Sequence, residues 1–473
     1  MSASHTSMHG EWSGRLVFIL AATGSAVGLG NIWKFPYITG ENGGGAFVLI
    51  YLICIASIGI PIMIAEVMLG RRGRQSPINS MRALAEEVGA HKCWKYLGWS
   101  GVIAGLLILS YYSVIAGWAL AYVFRTASGV FTNVTGDGAS SLFGRFVADP
   151  EKLLAWHTIF MVMTMAIVAR GVKGGLEKAV RFLMPTLFVI LVILLGYAMN
   201  LGEFSRGVEF LFNPDFSKIS TDGILTAMGH AFFTLSLGMG AIMVYGSYLP
   251  RNVSIAKTSI VIALMDTLVA LVAGLIIFPI VFANALEPGS GPGLIFQTLP
   301  IAFGHMPGGV FFGTLFFVLL VFAAWTSSIS LIEPAVAWLV ENRGHSRTYA
   351  AVVMGIVTWS LGLLTVLSFN VWADFKPLSS LSVFENSTMF DLLDFLTANI
   401  MLPIGGLLIA VFAGWIMKRE TTMAELDMHD PANMAYRVWL FLVKFIAPAA
   451  VVLVFLKVTG IFDIAKVIDL LLG

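Results

Sequence analysis

Two glycine-rich stretches, residues 21–36 and 232–240, interrupt long apolar segments with small polar side chains. In hydrocarbon each unsatisfied N–H or C=O group costs several kcal/mol, so a helix break at membrane depth must face protein or a watery cavity. A broken helix offers free carbonyl oxygens at its C-terminal end, and oxygen ligands suit a small hard cation. These stretches predict a polar site of the kind used in transport.

Asp266 places an ionisable side chain inside another apolar segment. Such a residue is costly in a membrane span and by default indicates a functional site. Two interpretations are open at this point. Asp266 is either a cation ligand, or a protonated carboxyl group that is hydrogen-bonded inside the helix bundle.

Several functional classes are excluded by what the sequence lacks. It has no GxxxxGK[ST], HExxH, GxSxG or EF-hand pattern, which removes the ATPase and common hydrolase classes at the level of motifs. Cys54 lies in an apolar segment and Cys93 in a polar loop, so no disulfide framework or clustered metal site is predicted. The net charge of +1 gives no reason to expect a nucleic-acid partner.

The composition predicts an all-α integral membrane protein, because 58% of residues are hydrophobic, 12% are charged and the mean hydropathy is +0.87. A membrane-spanning helix needs about 20 apolar residues. Eleven such segments are predicted, at 15–38, 46–70, 97–124, 153–170, 179–200, 222–249, 254–283, 309–340, 348–368, 389–416 and 435–458.

Basic residues predict the orientation of the chain through the positive-inside rule. They cluster in alternate loops, around residues 71–95, 170–181, 251–257, 343–347 and 418–419. The N-terminal segment 1–14 is therefore expected in the cytoplasm, and eleven spans place the C-terminus outside. The apolar tail 459–473 is too short to span, so a short extracellular or interfacial tail is expected after span 11 (433–458).

The two interrupted spans are the first and the sixth, which predicts two equivalent units of five spans, 15–200 and 221–416. An odd number of spans forces the units into opposite orientations, and paired broken helices indicate the midplane site of an inverted-repeat transporter. The alternative is that Gly30 and Gly238 only let helices pack closely.

The chain resembles the neurotransmitter:sodium symporter family, which has the LeuT-type fold. The matching motifs are GSAVGLGN at 24–31, KFP at 34–36, ENGGGAF at 41–47, YY at 111–112, residues 232–240 and TSS at 326–328. Eleven spans are similar to the bacterial branch that transports hydrophobic amino acids. Gly175 and Pro185 resemble a pair associated in that branch with unwinding of the fifth helix.

The resemblance implies two Na⁺ sites. The first would use the Ala26 carbonyl with Asn31, Thr234 and Asp266, together with the substrate carboxylate. The second would use the carbonyls of Gly24, Val27 and Ala323 with the hydroxyls of Thr326 and Ser327. Many relatives carry an amide at position 266 and compensate with bound chloride or a carboxylate one turn later. Because the later position is Ala270 here, chloride-independent transport is expected.

The resemblance also implies a zwitterionic substrate, with backbone amides at a half-helix N-terminus facing its carboxylate. The implied substrate-binding residues are Ala26, Leu29, Gly30, Ile108, Tyr112, Phe233, Thr234, Ser236, Met239, Ser327 and Leu331. This set is mostly apolar and uncharged, so a neutral, hydrophobic or aromatic L-amino acid is expected. Gly28 disfavours a biogenic amine, because monoamine carriers have an aspartate there. Without the neighbouring break, Met239 reads as an ordinary core residue.

Gates are expected on both sides of the site. Lys34 and Asp394 would pair at the outer gate, although Asp391 competes as partner and Lys34 alternatively snorkels to the interface. Tyr112 and Phe233 would form the lid below. The inner gate would involve Trp12, Tyr248 and Glu341, with His9 opposite Glu341 unless the N-terminal histidine is disordered.

Three further ionisable groups, Glu66, His230 and Glu333, lie within spans, and an intramembrane carboxylate needs a partner. Glu66 is expected to brace the break in span 6, and His230 to hydrogen-bond across the bundle. Taken together, the sequence predicts a sodium-driven symporter in a bacterial-type inner (plasma) membrane, with no enzymatic activity. The alternative is a sodium-dependent sensor or a channel on the same fold, since binding residues alone do not establish turnover.

Overall fold

Helices form the regular structure of the computed structural model, which describes residues 7–287, 293–381, 384–430 and 432–458; no β-strand occurs within these residues. The main helices are α1 (Arg15–Ala26), α2 (Gly30–Glu41), α3 (Gly45–Gly73), α4 (Pro77–Val88), α5 (Lys92–Ala127), α6 (Gly136–Val147), α7 (Pro150–Val168), α8 (Val172–Met199), α9 (Phe204–Phe212), α10 (Thr221–Thr234), α11 (Ala241–Ser247), α12 (Ile255–Ala283), α13 (Leu294–His305), α14 (Gly309–Arg343), α15 (Arg347–Ser368), α16 (Met389–Ile416), α17 (Arg419–Glu425) and α18 (Met434–Leu456).

Nine of the described helices are long and apolar enough to cross a membrane: α3, α5, α7, α8, α12, α14, α15, α16 and α18. The pair α1–α2, bent by 52°, counts as a tenth. Helices α10 and α11 occupy the sixth predicted span and are separated by residues 235–240. The all-α membrane fold is therefore confirmed, and its layout is consistent with eleven spans. The predicted tail, 459–473, lies outside the described residues.

The first span breaks after Ala26, where Val27 adopts an extended conformation. Asn31 compensates locally, because its Oδ1 accepts a hydrogen bond from the Gly28 N–H at 3.0 Å. A β-carbon at position 28 would lie 2.6 Å from Ser327 Oγ and 2.7 Å from Tyr112 Oη. Close approach of α14 and α5 therefore requires glycine at this position.

The sixth span breaks because its backbone turns left-handed, with φ of 54° at Ser236, 80° at Gly238 and 75° at Gly240. Glycine adopts this region readily, whereas a side chain makes it costly. Glu66 on α3 accepts the Gly238 N–H at 3.0 Å. The expectation that Glu66 braces this break is confirmed.

Helices α5 and α14 pack against each other and form the wall that faces both breaks. Gly105 permits the approach, since a β-carbon there would lie 2.7 Å from the Leu331 carbonyl oxygen. Helices α7 and α15 pack behind α5. Helix α8 continues through both Gly175 and Pro185, with a wide π-helical turn at Val172–Leu176. Unwinding at these two residues stays a prediction.

Candidate ion and substrate site

Asn31, Thr234 and Asp266 meet between the two helix breaks, as the sequence predicts. Asn31 Nδ2 donates to Asp266 Oδ1 at 2.8 Å and to Thr234 Oγ1 at 3.1 Å, and the Thr234 hydroxyl donates to Asp266 Oδ2 at 2.9 Å. All three side chains are buried. The cluster joins α2, α10 and α12 around one carboxylate.

The charge of Asp266 has no basic partner in the described part of the chain. Its side-chain neighbours are neutral, and a buried carboxylate in such surroundings is costly unless a cation or a proton accompanies it. Hydroxyl and carboxylate oxygens are ligands that a hard cation prefers. The Asn31 amide directs its NH2 group at the carboxylate and would have to turn over to offer its oxygen to an ion. The chemistry of this cluster therefore fits a small cation.

A second group of oxygens joins α14 to the end of α1. The Ser327 hydroxyl lies 3.0 Å from the Val27 carbonyl oxygen and 3.3 Å from that of Gly24. The Thr326 hydroxyl lies 3.0 Å from the Ala323 carbonyl oxygen. These five residues include no carboxylate, so the group is neutral and suits a monovalent cation better than a divalent one.

A small cavity of about 30 Å³ lies beside the two oxygen clusters. It is lined by Ser25, Ala26, Gly28, Leu29, Gly30, Ile108, Tyr112, Phe233, Ser236, Met239, Ser327 and Leu331. Every predicted substrate residue except Thr234 is in this lining. The Leu29 N–H donates to Tyr112 Oη at 3.2 Å, and Ser236 donates to the Ser25 carbonyl at 2.9 Å. The volume is about that of one water molecule, so an amino acid requires side chains to move.

A larger cavity of about 390 Å³, here called the vestibule, lies on one side of the small cavity. The two share Leu29, Gly30, Tyr112 and Phe233. The Phe233 ring covers Gly30, because its edge lies 3.1 Å from where a β-carbon on that glycine would be. Phe233 thus separates the two cavities.

The predicted pair of Lys34 and Asp394 is not formed in this structure. Both residues line the vestibule, but no ion pair joins Lys34 to a carboxylate among the described residues. Lys34 Nζ lies instead 4.6 Å from the centre of the Phe233 ring. Asp391 is engaged elsewhere, since it accepts the Thr388 N–H at 2.8 Å and caps α16.

The opposite side of the site, the Trp12 end, is closed by polar contacts. Trp12 is buried and donates its backbone N–H to the Tyr248 carbonyl at 3.0 Å and its indole N–H to the Tyr245 carbonyl at 3.1 Å. Glu341 accepts hydrogen bonds from Ser76 N at 2.7 Å and Asn79 Nδ2 at 2.8 Å. These contacts tie the N-terminal segment and α4 to α11 and α14.

His9 Nε2 lies 3.0 Å from Glu341 Oε1, and both side chains are nearly inaccessible. The imidazole also packs against the Tyr248 ring, with 5.7 Å between ring centres. His9 therefore takes part in this closure, in place of the disordered terminus considered as the alternative.

In the sequence, Arg74 is one of the basic residues that predict topology. In the structure, its guanidinium lies among the groups that close the Trp12 end. It donates to the Leu249 carbonyl at 2.9 Å and pairs with Glu11 at 2.9 Å. Burial lowers the pKa of Arg74, and the charge of Glu11 partly opposes that effect. The run of arginines at 71, 72 and 74, just past an apolar segment, was the available signal.

The sequence marks Glu333 as a carboxylate within a span but does not reveal its partners. Glu333, buried on α14, accepts the Tyr248 hydroxyl at 2.7 Å and pairs with Arg347 at the start of α15. His230, by contrast, does not make the predicted hydrogen bond across the bundle. Neither of its ring nitrogens has a partner in the described structure, and the ring packs between Phe35 and Tyr51.

Two interrupted spans that meet at buried oxygen clusters are the architecture of an ion-coupled membrane transporter. The model of the sodium:neurotransmitter symporter family matches residues 9–133 and 148–467. The chain belongs to this family, whose members are transporters and not enzymes.

Relatives and a solved structure agree with this assignment. The uncharacterized sodium-dependent transporter YhdH of Bacillus subtilis is 37% identical over 96% of this chain and 98% of its own length. An uncharacterized sodium-dependent transporter of Haemophilus influenzae is 34% identical over 94% and 97%. The crystal structure of MhsT in complex with L-phenylalanine has a TM-score of 0.86 and 43% identity, covering 95% of this chain and 99% of that one.

Proposed function

We propose that this protein couples the inward movement of Na⁺ to the uptake of neutral, hydrophobic or aromatic L-amino acids. The observation that carries the proposal is the buried Asp266 carboxylate, which lies between two helix breaks and has no basic partner in the described chain. The phenylalanine bound to MhsT supports an aromatic substrate.

Two Na⁺ ions are transported with the substrate. The first is bound by Asn31, Thr234, Asp266 and the Ala26 carbonyl. The second is bound by the carbonyls of Gly24, Val27 and Ala323 and the hydroxyls of Thr326 and Ser327. Two sets of contacts of about 3 Å support these assignments. In the first, Asn31, Thr234 and Asp266 contact one another. In the second, the Ser327 hydroxyl contacts the Val27 carbonyl and the Thr326 hydroxyl contacts that of Ala323.

The substrate occupies the small cavity and the space that Phe233 and Met239 release when they move. The Leu29 and Gly30 amides and the Tyr112 hydroxyl receive the carboxylate. Ser236 and the backbone carbonyls of Ala26, Phe233 and Thr234, which lie at the helix breaks, receive the ammonium group. The apolar lining by Ile108, Met239 and Leu331 supports a side chain without charge.

Asp266 supplies a negative charge at the first ion site, so chloride is not required. Uptake measured with chloride replaced by gluconate, at constant Na⁺, is expected to be unchanged. A collapse of uptake in gluconate would contradict chloride independence without affecting sodium coupling.

Transport proceeds by alternating access between two inverted repeats, residues 15–200 and 221–416, in a bacterial-type inner membrane. The vestibule faces outside and the Trp12 end faces the cytoplasm, which also places the C-terminus outside. The basic residues around positions 71–95 and 170–181 support this orientation.

The test is uptake of radiolabelled leucine and tryptophan into proteoliposomes. An inward Na⁺ gradient is compared with K⁺, and the wild type with Asp266→Ala. Accumulation that requires Na⁺ and is lost in the variant is the expected result. Sodium-dependent binding without accumulation would assign the protein to the alternative class, a sensor, and equilibration without accumulation to a channel.

A further inference from the structure

A groove of about 670 Å³ opens at the Trp12 end of the bundle. Its walls come from the N-terminal segment and α1, from the first turn of α8, and from the connection between α11 and α12. It is separate from the two cavities of the transport site, with which it shares no lining residue. We call it the basic groove.

The basic groove has three cationic side chains, Arg15, Lys173 and Lys257, and all three are exposed. No ion pair engages any of them among the described residues. Its acidic lining residue, Glu11, is already paired with Arg74 at 2.9 Å. The groove therefore carries a concentrated positive charge without a matching negative one, which favours an anionic ligand.

An exposed apolar surface continues from the basic groove along α12. Ile260, Leu264 and Leu268 are 41%, 60% and 49% exposed, and they follow Lys257 at intervals of three or four residues. This spacing places them on one face of the helix. Leu16, beside Arg15, is 68% exposed as well. A ligand with a phosphate head and an acyl chain can contact both surfaces at once.

We propose that the basic groove binds the phosphate headgroup of an anionic phospholipid, whose acyl chain lies along the exposed face of α12. Basic pockets between spans at the cytoplasmic surface have the charge that such headgroups need. Inorganic phosphate shares the head chemistry but has no acyl chain, so the apolar face favours the lipid.

The position of the groove predicts an effect on the closure at the Trp12 end. Ser13 lines the groove, and its hydroxyl donates to Glu177 on α8 at 2.6 Å. Trp12, the preceding residue, donates its indole N–H to the Tyr245 carbonyl on α11. A lipid that bridges α1, α8 and α12 therefore stabilises the closed arrangement of these elements.

The test uses the full chain in nanodiscs of phosphatidylcholine, with or without a minor fraction of phosphatidylglycerol. Tryptophan fluorescence gives the midpoint of thermal unfolding, and native mass spectrometry counts retained phosphatidylglycerol. The anionic lipid is expected to raise the midpoint of the wild type. Retention is expected to fall about tenfold or more in Arg15→Gln/Lys173→Gln/Lys257→Gln, since each basic residue near an anionic surface strengthens binding several-fold.

The matched control is Arg82→Gln/Lys92→Gln/Arg343→Gln, which removes three exposed cations at the same end but outside the basic groove. It is expected to keep the wild-type response, and an equal loss would overturn the proposal. If the triple groove variant does not fold, Lys173→Gln and Lys257→Gln are measured singly, and each must lower retention. Inorganic phosphate added to phosphatidylcholine discs is expected to give no stabilisation. An effect of phosphate equal to that of the lipid would contradict a lipid ligand.

Discussion

The two ends of the transport site are closed by different chemistry. On the vestibule side, one aromatic ring, Phe233, covers the small cavity, and Lys34 lies above it without a carboxylate partner among the described residues. On the other side, Trp12, Tyr248 and Glu341 take part in a network of buried hydrogen bonds.

The chemistry of each closure determines how that barrier can open. An aromatic lid needs one side-chain rotation and leaves no polar group unsatisfied. The buried network must exchange several hydrogen bonds together, because each unpaired group costs about 1–3 kcal/mol. The barrier at the Trp12 end is therefore the more cooperative one, and opening it requires water or ligands to replace the lost partners.

Both barriers enclose the proposed first ion site, in which Asp266 is the charged ligand. Asp266→Asn keeps the shape of the side chain but removes its charge, so the Na⁺ concentration for half-maximal uptake is expected to rise about tenfold or more. Uptake into proteoliposomes over a range of Na⁺ measures it. An unchanged Na⁺ dependence would show that the carboxylate does not contact the transported ion.

Trp12→Ala is expected to open the barrier at the Trp12 end, because truncating a buried tryptophan costs roughly 3–5 kcal/mol of stability. Labelling of Ser247→Cys by a maleimide, in a Cys93→Ser background, reports this opening, since Ser247 is fully buried. Trp12→Ala is expected to raise the rate of this labelling at least about tenfold.

The matched control for Trp12→Ala is Trp33→Ala, which removes an indole from the vestibule instead. It is expected to leave labelling of Ser247→Cys unchanged. If both variants raised labelling equally, the two ends would not be independent barriers.

The contact between His9 and Glu341 predicts that His9 helps to close the Trp12 end. His9→Ala removes the imidazole that lies 3.0 Å from the Glu341 carboxylate and so removes one buried hydrogen bond. Labelling of Ser247→Cys, measured at one constant pH, is expected to accelerate up to about tenfold, the scale of one such bond. An unchanged labelling rate would show that His9 does not hold this barrier closed.

Lys34→Gln is expected to have the smallest effect, because a cation–π contact contributes about 0.5–1 kcal/mol at an accessible site. Labelling of Ile108→Cys, which lines the small cavity below the lid, is expected to accelerate roughly two- to fivefold. Lys34→Arg keeps the cation and should match the wild type. An acceleration of labelling as large as that expected for Trp12→Ala would mean that the lid depends on an ion pair after all.

Much of the central site could be predicted because its signals are local. Glycine and small polar residues within residues 24–31 and 232–240 indicate helix breaks, and Asp266 is an isolated charge in an apolar segment. The resemblance then assigned individual residues, and the structure brings Asn31, Thr234 and Asp266 within hydrogen-bonding distance.

Residue type and short-range spacing were enough to predict the membrane class and the two breaks, and the resemblance supplied the predicted oxygen ligands. The packing of the helices, in contrast, sets most of the charged contacts at the Trp12 end. Arg74 pairs with Glu11, and Tyr248 bonds to Glu333, in each case between segments that are remote in the chain. The contact of His9 with Glu341, by contrast, was expected from the resemblance. Helix packing also decided that Lys34 contacts a ring and that His230 has no partner among the described residues. Such pairings follow from how whole helices pack, so no local pattern carries them.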